Sequence, residues 1–258
     1  MVVVIIGGSD GIGKTTLVKL LTEGYTVYNL SRNKLLNLET NIYLDVSDTA
    51  SIKNALDQVI EKEGKIDLIV YCAGFSMASP IEDVDSNDYR YLFSVNVFGY
   101  IETVKAITPH FKDNKFGKII YLSSLASKIP IPYDPYYSAS KAAVEAFNNA
   151  INLELNKNNI YVTNLVFGGV KTNFTFKRKI NTGKYSINFY SAVNSLAHFE
   201  QTGLELMLIA SEILKLSKTN NPPMTVTIGF KNKLMYCLSK ALNPKLINRL
   251  VKIKFKQK

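Results

Sequence analysis

Short apolar runs alternate along the chain with longer segments in which apolar residues recur at every third or fourth position. The apolar runs predict strands, and the helical spacing predicts amphipathic helices. Strands are expected at residues 2–6, 25–30, 41–44, 66–72, 117–122, 160–167 and 224–228, and helices at 12–23, 48–63, 86–112, 135–157 and 200–217. Strands that alternate with helices form a parallel sheet with helices on both faces. The pattern therefore predicts a doubly wound α/β fold with a seven-stranded parallel sheet.

Two segments depart from this alternation. Residues 173–199 are the least regular, with aromatic side chains scattered among polar ones: Phe174, Phe176, Tyr185, Phe189, Tyr190 and Phe199. A long loop inside a compact domain is usually functional, so we predict a substrate loop here. Residues 230–258 place apolar residues at helical spacing on both sides of a break at Asn243 and Pro244, which predicts a helical C-terminal extension.

The length and composition indicate one globular domain spanning 1–258. The chain has 258 residues, of which 47% are hydrophobic and 20% charged. No apolar run approaches the ~18 residues typical of a membrane span, and the first strand leaves no room for a secretory signal, so we expect a cytoplasmic protein. With only Cys72, Cys237, His110 and His198 available, we predict no disulfide framework and no metal site.

The positive charge of the chain is concentrated at its C-terminal end. Residues 231–258 contain nine basic and no acidic residues, against 31 basic and 21 acidic in the whole chain. The preceding residues therefore carry 22 basic and 21 acidic groups, a net charge of +1. This distribution argues against nucleic acid as a partner of the main domain. Two interpretations of the basic segment stay open: helices packed over the substrate opening, or peripheral contact with an anionic membrane.

A glycine-rich turn, GGSDGIGKTT, follows the first strand and can be interpreted in two ways. From Gly8 it matches the P-loop pattern, with Lys14 and Thr15 in the diagnostic positions. From Gly7 it matches a dinucleotide-binding turn that opens a helix. A P-loop kinase also needs a strand that ends in a magnesium-binding Asp, and Asp45 after three apolar residues is a weak candidate.

A serine, a tyrosine and a lysine form the most specific pattern in the chain. Ser124 follows a buried strand, and Tyr137 and Lys141 begin a predicted long helix, where positions i and i+4 share one face. A tyrosine four residues before a lysine can also arise by chance, and the pair of Tyr236 and Lys240 is interpreted as such a coincidence. A phenol can exchange a proton with a carbonyl or alcohol oxygen, and a nearby ammonium is expected to lower the phenol pKa toward neutrality.

These residues resemble the short-chain dehydrogenase/reductase family from Val2 to about Gly229. Further matches are Asp45-Val46, Ala73-Gly74, Asn96 and the segment from Gly168 to Thr172. The resemblance implies a Rossmann domain, a catalytic set of Asn96, Ser124, Tyr137 and Lys141, and a water held by Asn96. The predicted cofactor contacts are Gly7, Ser9, Asp10, Gly11, Ile12, Gly13, Ser31, Arg32, Asp45, Val46, Cys72, Ala73, Gly74, Asn96, Tyr137, Lys141, Gly168, Val170 and Thr172.

Three positions depart from the family pattern. A threonine before the first glycine is replaced by Ile6, and an asparagine pair begins instead with Tyr71-Cys72. Strands one and four should be neighbours, so both polar partners are lost together, which is nearly neutral in free energy. A proline before Gly168 is replaced by Phe167, which places a large ring near the nicotinamide and the substrate.

The end of the second strand favours NADP over NAD. An NAD enzyme carries an acid about twenty residues beyond the glycines, whereas this chain has Ser31 there. Arg32 beside it can bind a 2′-phosphate through two hydrogen bonds. Asp10 in the glycine turn opposes this assignment, because many NADP-dependent relatives have a basic residue in that turn.

Three classes of function follow. The favoured one is an NADP-dependent carbonyl reductase or alcohol dehydrogenase acting on a lipophilic small molecule. The alternatives are a non-catalytic dinucleotide-binding sensor, disfavoured by the complete catalytic set, and a P-loop kinase. The resemblance also implies a homodimer or homotetramer formed through the helices at 86–112 and 135–157.

Overall fold

The apolar runs form a parallel sheet in the computed structural model, which describes residues 1–35, 38–175, 177–180 and 186–255. Seven strands pair in the order β3-β2-β1-β4-β6-β7-β9, and β5 pairs with β8 outside this sheet. The strands are β1 (Val2–Ile6), β2 (Thr26–Ser31), β3 (Asn41–Tyr43), β4 (Leu68–Tyr71), β5 (Met77–Ala78), β6 (Gly117–Leu122), β7 (Ile160–Val166), β8 (Lys179–Ile180) and β9 (Thr225–Thr227). The predicted doubly wound Rossmann fold is confirmed.

Helices cover both faces of the sheet, because alternate strand residues point to opposite faces. They are α1 (Gly11–Thr22), α2 (Thr49–Glu63), α3 (Ser86–Phe93), α4 (Gly99–Asp113), α5 (Pro135–Leu155), α6 (Ile187–Gln201), α7 (Leu206–Lys218), α8 (Phe230–Ala241) and α9 (Pro244–Lys254). Val4 and Ile6 pack with residues of α2, α4 and α5 in one apolar layer. Val3 and Ile5 pack with α1 and α7 in the other. The strands are therefore buried from both sides.

Two long predicted helices are interrupted in the structure. The helix expected at 86–112 consists of α3, a π-helical segment Ser94–Phe98, and α4. The prediction of one helix at 200–217 is wrong at its start, because α6 ends at Gln201 and α7 begins at Leu206. Gly203 lies in this break with its Cα against Gly169, where a Cβ would come within 2.0 Å of the Gly169 carbonyl oxygen. The close approach of two backbones requires the break.

The segment predicted as a substrate loop at 173–199 is only partly irregular. It contributes β8 and the greater part of α6, whose first turn is capped by the Ser186 hydroxyl accepting from the Phe189 amide. Phe189 is buried, whereas Tyr190 is exposed. Phe176 and Tyr185 lie outside the described residues.

The C-terminal segment forms α8 and α9. The first helix ends at Ala241, and Asn243 caps the second by accepting from the Lys245 amide, which explains the break at Pro244. Val251 and Phe255 pack against Ala192 and Leu196 of α6. Lys256 and Lys258, two of the basic residues of this segment, lie outside the described residues. Within the described part of the chain, no helix has both the length and the apolar character needed to cross a bilayer.

Candidate functional site

A cavity of about 560 Å³ opens at the carboxyl ends of the central strands, the edge at which parallel α/β sheets bind ligands. Of the predicted cofactor contacts, all but Asn96 line it, and so does Ser124. These residues are Gly7, Ser9, Asp10, Gly11, Ile12, Gly13, Ser31, Arg32, Asp45, Val46, Cys72, Ala73, Gly74, Tyr137, Lys141, Gly168, Val170 and Thr172. The fold thus brings together residues that are far apart in the sequence.

The glycine turn leaves no space for side chains between β1 and α1. Gly7 has a φ of +84°, and a Cβ on Gly13 would lie 2.3 Å from the Gly7 carbonyl oxygen. Asp10 begins α1 and accepts a hydrogen bond from the Gly11 amide at 2.7 Å. Backbone amides at such a helix start can hold phosphate, so these residues fit a dinucleotide. Lys14 is exposed on α1 and does not line the cavity. The lysine that a P-loop needs beside the nucleotide phosphates is therefore not in this site, which argues against the P-loop interpretation.

The rim of the cavity carries the residues that predicted NADP. The Arg32 guanidinium donates to the Tyr91 hydroxyl at 2.9 Å, and the Ser31 hydroxyl donates to the Asn33 carbonyl at 2.5 Å. Asp45 lies nearby and accepts from the amide and hydroxyl of Ser47. Arg32 is therefore held at the rim with part of its guanidinium still available.

Lys141 is buried at the centre of the site on α5. Its ammonium donates to the Leu122 carbonyl at 2.7 Å and to the Tyr121 hydroxyl at 3.1 Å. Burial disfavours the charged form of an amine and lowers the pKa of Lys141 to about 7. The side chain can therefore change its charge near neutral pH.

Tyr137 lies one helical turn before Lys141 and close to Ser124. The Lys141 ammonium is 5.7 Å from the centre of the Tyr137 ring. Burial raises the pKa of the Tyr137 phenol, and a hydrogen bond with Ser124 offsets part of that rise. The expectation that the pKa of Tyr137 lies below its ordinary value is therefore wrong in this structure, because burial raises that pKa and the negative charges of Asp134 and Glu200 raise it further. The phenol is protonated at neutral pH.

Asn96 is fully buried behind the cavity wall, in the π-helical segment. Its amide group accepts from the Phe75 amide at 3.0 Å and donates to the Phe75 carbonyl at 2.9 Å and to the Ser140 hydroxyl at 3.1 Å. A Cβ on Gly74 would lie 3.1 Å from the Asn96 side-chain oxygen. Asn96 therefore supports the Ala73-Gly74 loop. Asn96 is not among the described residues that line the cavity, so the structure does not show its predicted contact with the cofactor.

The departures from the family pattern also have structural partners. Ile6 pairs with Tyr71 across β1 and β4, so the two substituted positions are neighbours, as predicted. The Tyr71 hydroxyl donates to the Val95 carbonyl at 2.9 Å, which satisfies it inside the core. Phe167 is buried and lines the cavity. Burial raises the pKa of the Cys72 thiol to about 12, which disfavours the thiolate form.

Several residues that line the cavity or lie close to it were not predicted as site residues. Lys177 forms an ion pair with Asp10 at the glycine turn. The buried Arg178 donates to the Ser76 hydroxyl at 2.8 Å and to Glu200 at 2.5 Å. Asp134, fully buried, faces the charge of Arg178, and burial raises its pKa to about 7. These residues come from distant parts of the chain, and their spacing contains no signal that they meet.

One group of lining residues, here called the apolar chamber, has apolar side chains. It includes Leu125, Ile129, Ile131, Phe174, Leu196, Phe199, Met235 and Phe255. The Phe174 ring lies 5.9 Å from the Tyr137 ring, measured between centres. The Tyr137 phenol thus stands where the glycine turn side and the apolar side of the cavity meet. Among the described residues, no cluster of His, Cys, Asp or Glu could hold a metal ion.

Comparison with known proteins gives a consistent result. The family model for short chain dehydrogenase matches residues 1–182. A 3-ketodihydrosphingosine reductase from Bacteroides thetaiotaomicron is 30% identical over 94% of this chain and 93% of its own length. A probable short-chain type dehydrogenase/reductase, VdlC, from Helicobacter pylori is 31% identical over 93% of this chain and 92% of its own length.

Solved structures share the fold at lower identity. A short-chain dehydrogenase from Streptomyces avermitilis superposes with a TM-score of 0.84, 20% identity, and coverage of 100% of this chain and 98% of its own. Other neighbours include one with NADP bound and one from Burkholderia phymatum in complex with NAD, so the fold accepts either cofactor. The chain belongs to the short-chain dehydrogenase/reductase family and is an NAD(P)-dependent oxidoreductase.

Proposed function

We propose that the chain reduces a ketone carried on a long alkyl chain, with NADPH as the reductant. One observation carries this proposal: the Tyr137 phenol, hydrogen-bonded to Ser124, lies between the glycine turn and an apolar chamber. The relative from Bacteroides thetaiotaomicron is named a 3-ketodihydrosphingosine reductase, and that compound is a long-chain ketone with an amino group. The apolar chamber suits the alkyl chain.

The residues of the chain divide the proton chemistry between them. When bound, the nicotinamide supplies the hydride. Tyr137 donates a proton to the carbonyl oxygen, and its raised pKa keeps the phenol protonated beforehand, as a general acid must be. Ser124 orients the same oxygen by a hydrogen bond. Lys141, one turn away, stabilises the phenolate that remains, and Asn96 supports the loop that borders the site.

The preference for NADPH rests on Arg32. Its guanidinium lies at the rim beside Ser31, which occupies the position where an NAD enzyme carries an acid, and its positive charge offsets that of the nearby Asp45 carboxylate. Asp10, which opposed this preference, is paired with Lys177. The positive charge of Lys177 thus balances the negative charge of Asp10.

We also propose a homodimer or homotetramer that acts in the cytoplasm, where reduced cofactor is available. Large apolar side chains are exposed on the helices that the family resemblance implicates, among them Phe98 at the end of the π-helical segment and Leu153 on α5. Light scattering of purified protein tests the assembly. Leu153→Glu should shift it toward smaller species if α5 contributes to the interface.

A substrate panel tests the catalytic proposal. The loss of NADPH absorbance is followed with 3-ketodihydrosphingosine, a long-chain ketone without the amine, and a short water-soluble ketone. We expect kcat/KM to fall in that order. Turnover of the short ketone alone would contradict an apolar substrate, and no turnover of any ketone would contradict reduction.

A further inference from the structure

The two C-terminal helices present apolar side chains to solvent along one face each. On α8 they recur at helical spacing: Phe230, Leu234, Cys237, Leu238 and Ala241. On α9 they are Leu246, Leu250 and Ile253. The large members of this set, here called the outer apolar face, are between 41% and 82% exposed. Exposed large apolar side chains grouped on a helix face in this way mark an interaction site.

The opposite faces of the same helices are already occupied. Tyr236 of α8 packs with Leu125 and Val166. Val251 and Phe255 pack with residues of α6. The two interpretations of the basic segment are therefore compatible, because each helix packs on the domain through one face and leaves a second apolar face uncovered.

Basic side chains flank the outer apolar face. Seven are exposed in the described part of the segment: Lys231, Lys233, Lys240, Lys245, Arg249, Lys252 and Lys254. The sequence from 230 to 255 contains no acidic residue. A second copy of this chain, placed with the same surface on this face, would bring like charges together, whereas a partner with negative charge and an apolar interior matches both features.

We propose that α8 and α9 bind the surface of an anionic phospholipid membrane. The outer apolar face inserts at the boundary between headgroups and acyl chains, and the flanking lysines and arginine contact lipid phosphates. Each basic residue near such a surface strengthens binding roughly fivefold.

The same helices border the substrate cavity. Met235 of α8 and Lys254 of α9, followed by Phe255, belong to its lining. A membrane that binds the outer apolar face therefore contacts the same two helices that line the cavity, which brings a long-chain substrate dissolved in the bilayer near the apolar chamber. This delivery rests on the proposed function, whereas membrane binding does not.

Vesicle co-sedimentation of the full chain tests the binding. Vesicles of phosphatidylglycerol and phosphatidylcholine are compared with vesicles of phosphatidylcholine alone, at low and high salt. We expect binding to the anionic vesicles only, weakened by salt because exposed charges are screened. Leu238→Gln/Leu250→Gln should reduce the partition coefficient at least about tenfold, since two apolar side chains leave the interface.

Matched variants control for general surface effects. Val18 and Met207 are exposed to similar degrees on α1 and α7, and Val18→Gln/Met207→Gln should bind vesicles as the unaltered chain does. Lys245→Glu should weaken binding at least about fivefold, whereas Lys157→Glu, an exposed lysine after α5, should not. Circular dichroism checks that each variant is folded.

Several results would overturn the proposal. They are absence of binding to anionic vesicles at low salt, equal binding to neutral vesicles, and unchanged binding by Leu238→Gln/Leu250→Gln. A homo-oligomer that dissociates in this variant would assign the outer apolar face to a second copy instead. Binding to RNA that charge reversal abolishes and the leucine substitutions spare would assign the basic residues to nucleic acid.

Turnover separates membrane binding from the reductase function. Leu238→Gln/Leu250→Gln should reduce a short soluble ketone normally and a vesicle-embedded long-chain ketone at least about fivefold more slowly. Equal rates on both would refute delivery. If the unaltered chain binds vesicles but reduces no long-chain ketone, the reductase proposal fails and the membrane surface stands.

Discussion

The two halves of the cavity are held together by different forces. The nucleotide half consists of turns that directly follow buried strands, such as Gly7 after β1 and Ala73 after β4, and those strands pack in two apolar layers. The substrate half has smaller apolar clusters, and polar contacts between distant segments also hold it in place. Lys177 pairs with Asp10, Lys179 with Asp88, and Arg178 with Glu200.

This difference has consequences for how each half responds to conditions. Apolar burial is insensitive to pH and salt, whereas ion pairs depend on protonation and, when exposed, on screening. We therefore expect the nucleotide half to stay intact where the substrate half loosens. The catalytic residues lie at the border between the halves, so chemistry requires both.

Tyr137→Phe should have the largest effect, because it removes the proton donor at the border and leaves both halves in place. Turnover should fall by about 10²–10⁴-fold, the usual contribution of a general acid, while NADPH affinity changes less than about threefold. Stopped-flow turnover and fluorescence titration measure the two.

Tyr236→Phe is the matched control for that substitution. Tyr236 also precedes a lysine by four residues, and the Lys240 ammonium lies 4.5 Å from its ring centre, yet it is not in the cavity lining. Its loss should leave turnover unchanged. Equal loss of activity in both variants would mean that Tyr137 is not the acid.

Asp134→Asn tests whether the substrate half depends on protonation. Burial raises the pKa of Asp134 to about 7, above the ~3.9 of an unfolded chain. The folded state therefore holds the proton more tightly, and the stability it contributes is present below about pH 4 and lost as the pH rises to about 7.

The unaltered chain should thus lose about 2–4 kcal/mol of unfolding free energy relative to Asp134→Asn between those pH values. Urea titrations at pH 4.5 and 8 measure the difference. The exposed Asp113→Asn serves as the control and should follow the unaltered chain at both pH values. A difference that stays constant with pH would mean that Asp134 is ionised throughout.

The contrast also explains which parts could be predicted from the sequence. Strand and glycine-turn patterns are local, so the sheet and most cofactor contacts followed from them. Arg178 and Ser76 are separated by about a hundred residues, and no local pattern indicates that they meet. The π-helical segment escaped prediction because the hydrogen bonds between the Asn96 side chain and the Phe75 backbone form only in the folded chain. The break at Gly203 depends on a packing contact with Gly169.

Arg32→Ala probes the nucleotide half alone. The guanidinium should pair with a phosphate that NADH lacks, so NADPH affinity should fall roughly 10- to 100-fold, the value of a charge-assisted hydrogen bond. NADH affinity should stay the same, and Arg90→Ala on α3 should change neither. Equal losses for both cofactors in Arg32→Ala would place the 2′-phosphate elsewhere.

Lys177→Ala should have the smallest effect, because it breaks a contact that joins the two halves at an exposed position. A hydrogen bond from Lys177 lowers the pKa of Asp10, and both side chains are substantially exposed, so the pair contributes at most about 1 kcal/mol. Removing the lysine leaves the Asp10 charge facing the cofactor phosphates. Affinity for NADPH and NADH should fall together by up to about fivefold, more at low salt than at high salt.

Lys177→Ala/Asp10→Asn should restore both affinities. Loss of NADPH affinity alone would instead make Lys177 the partner of the 2′-phosphate, and the distinction between the halves would then fail at this contact.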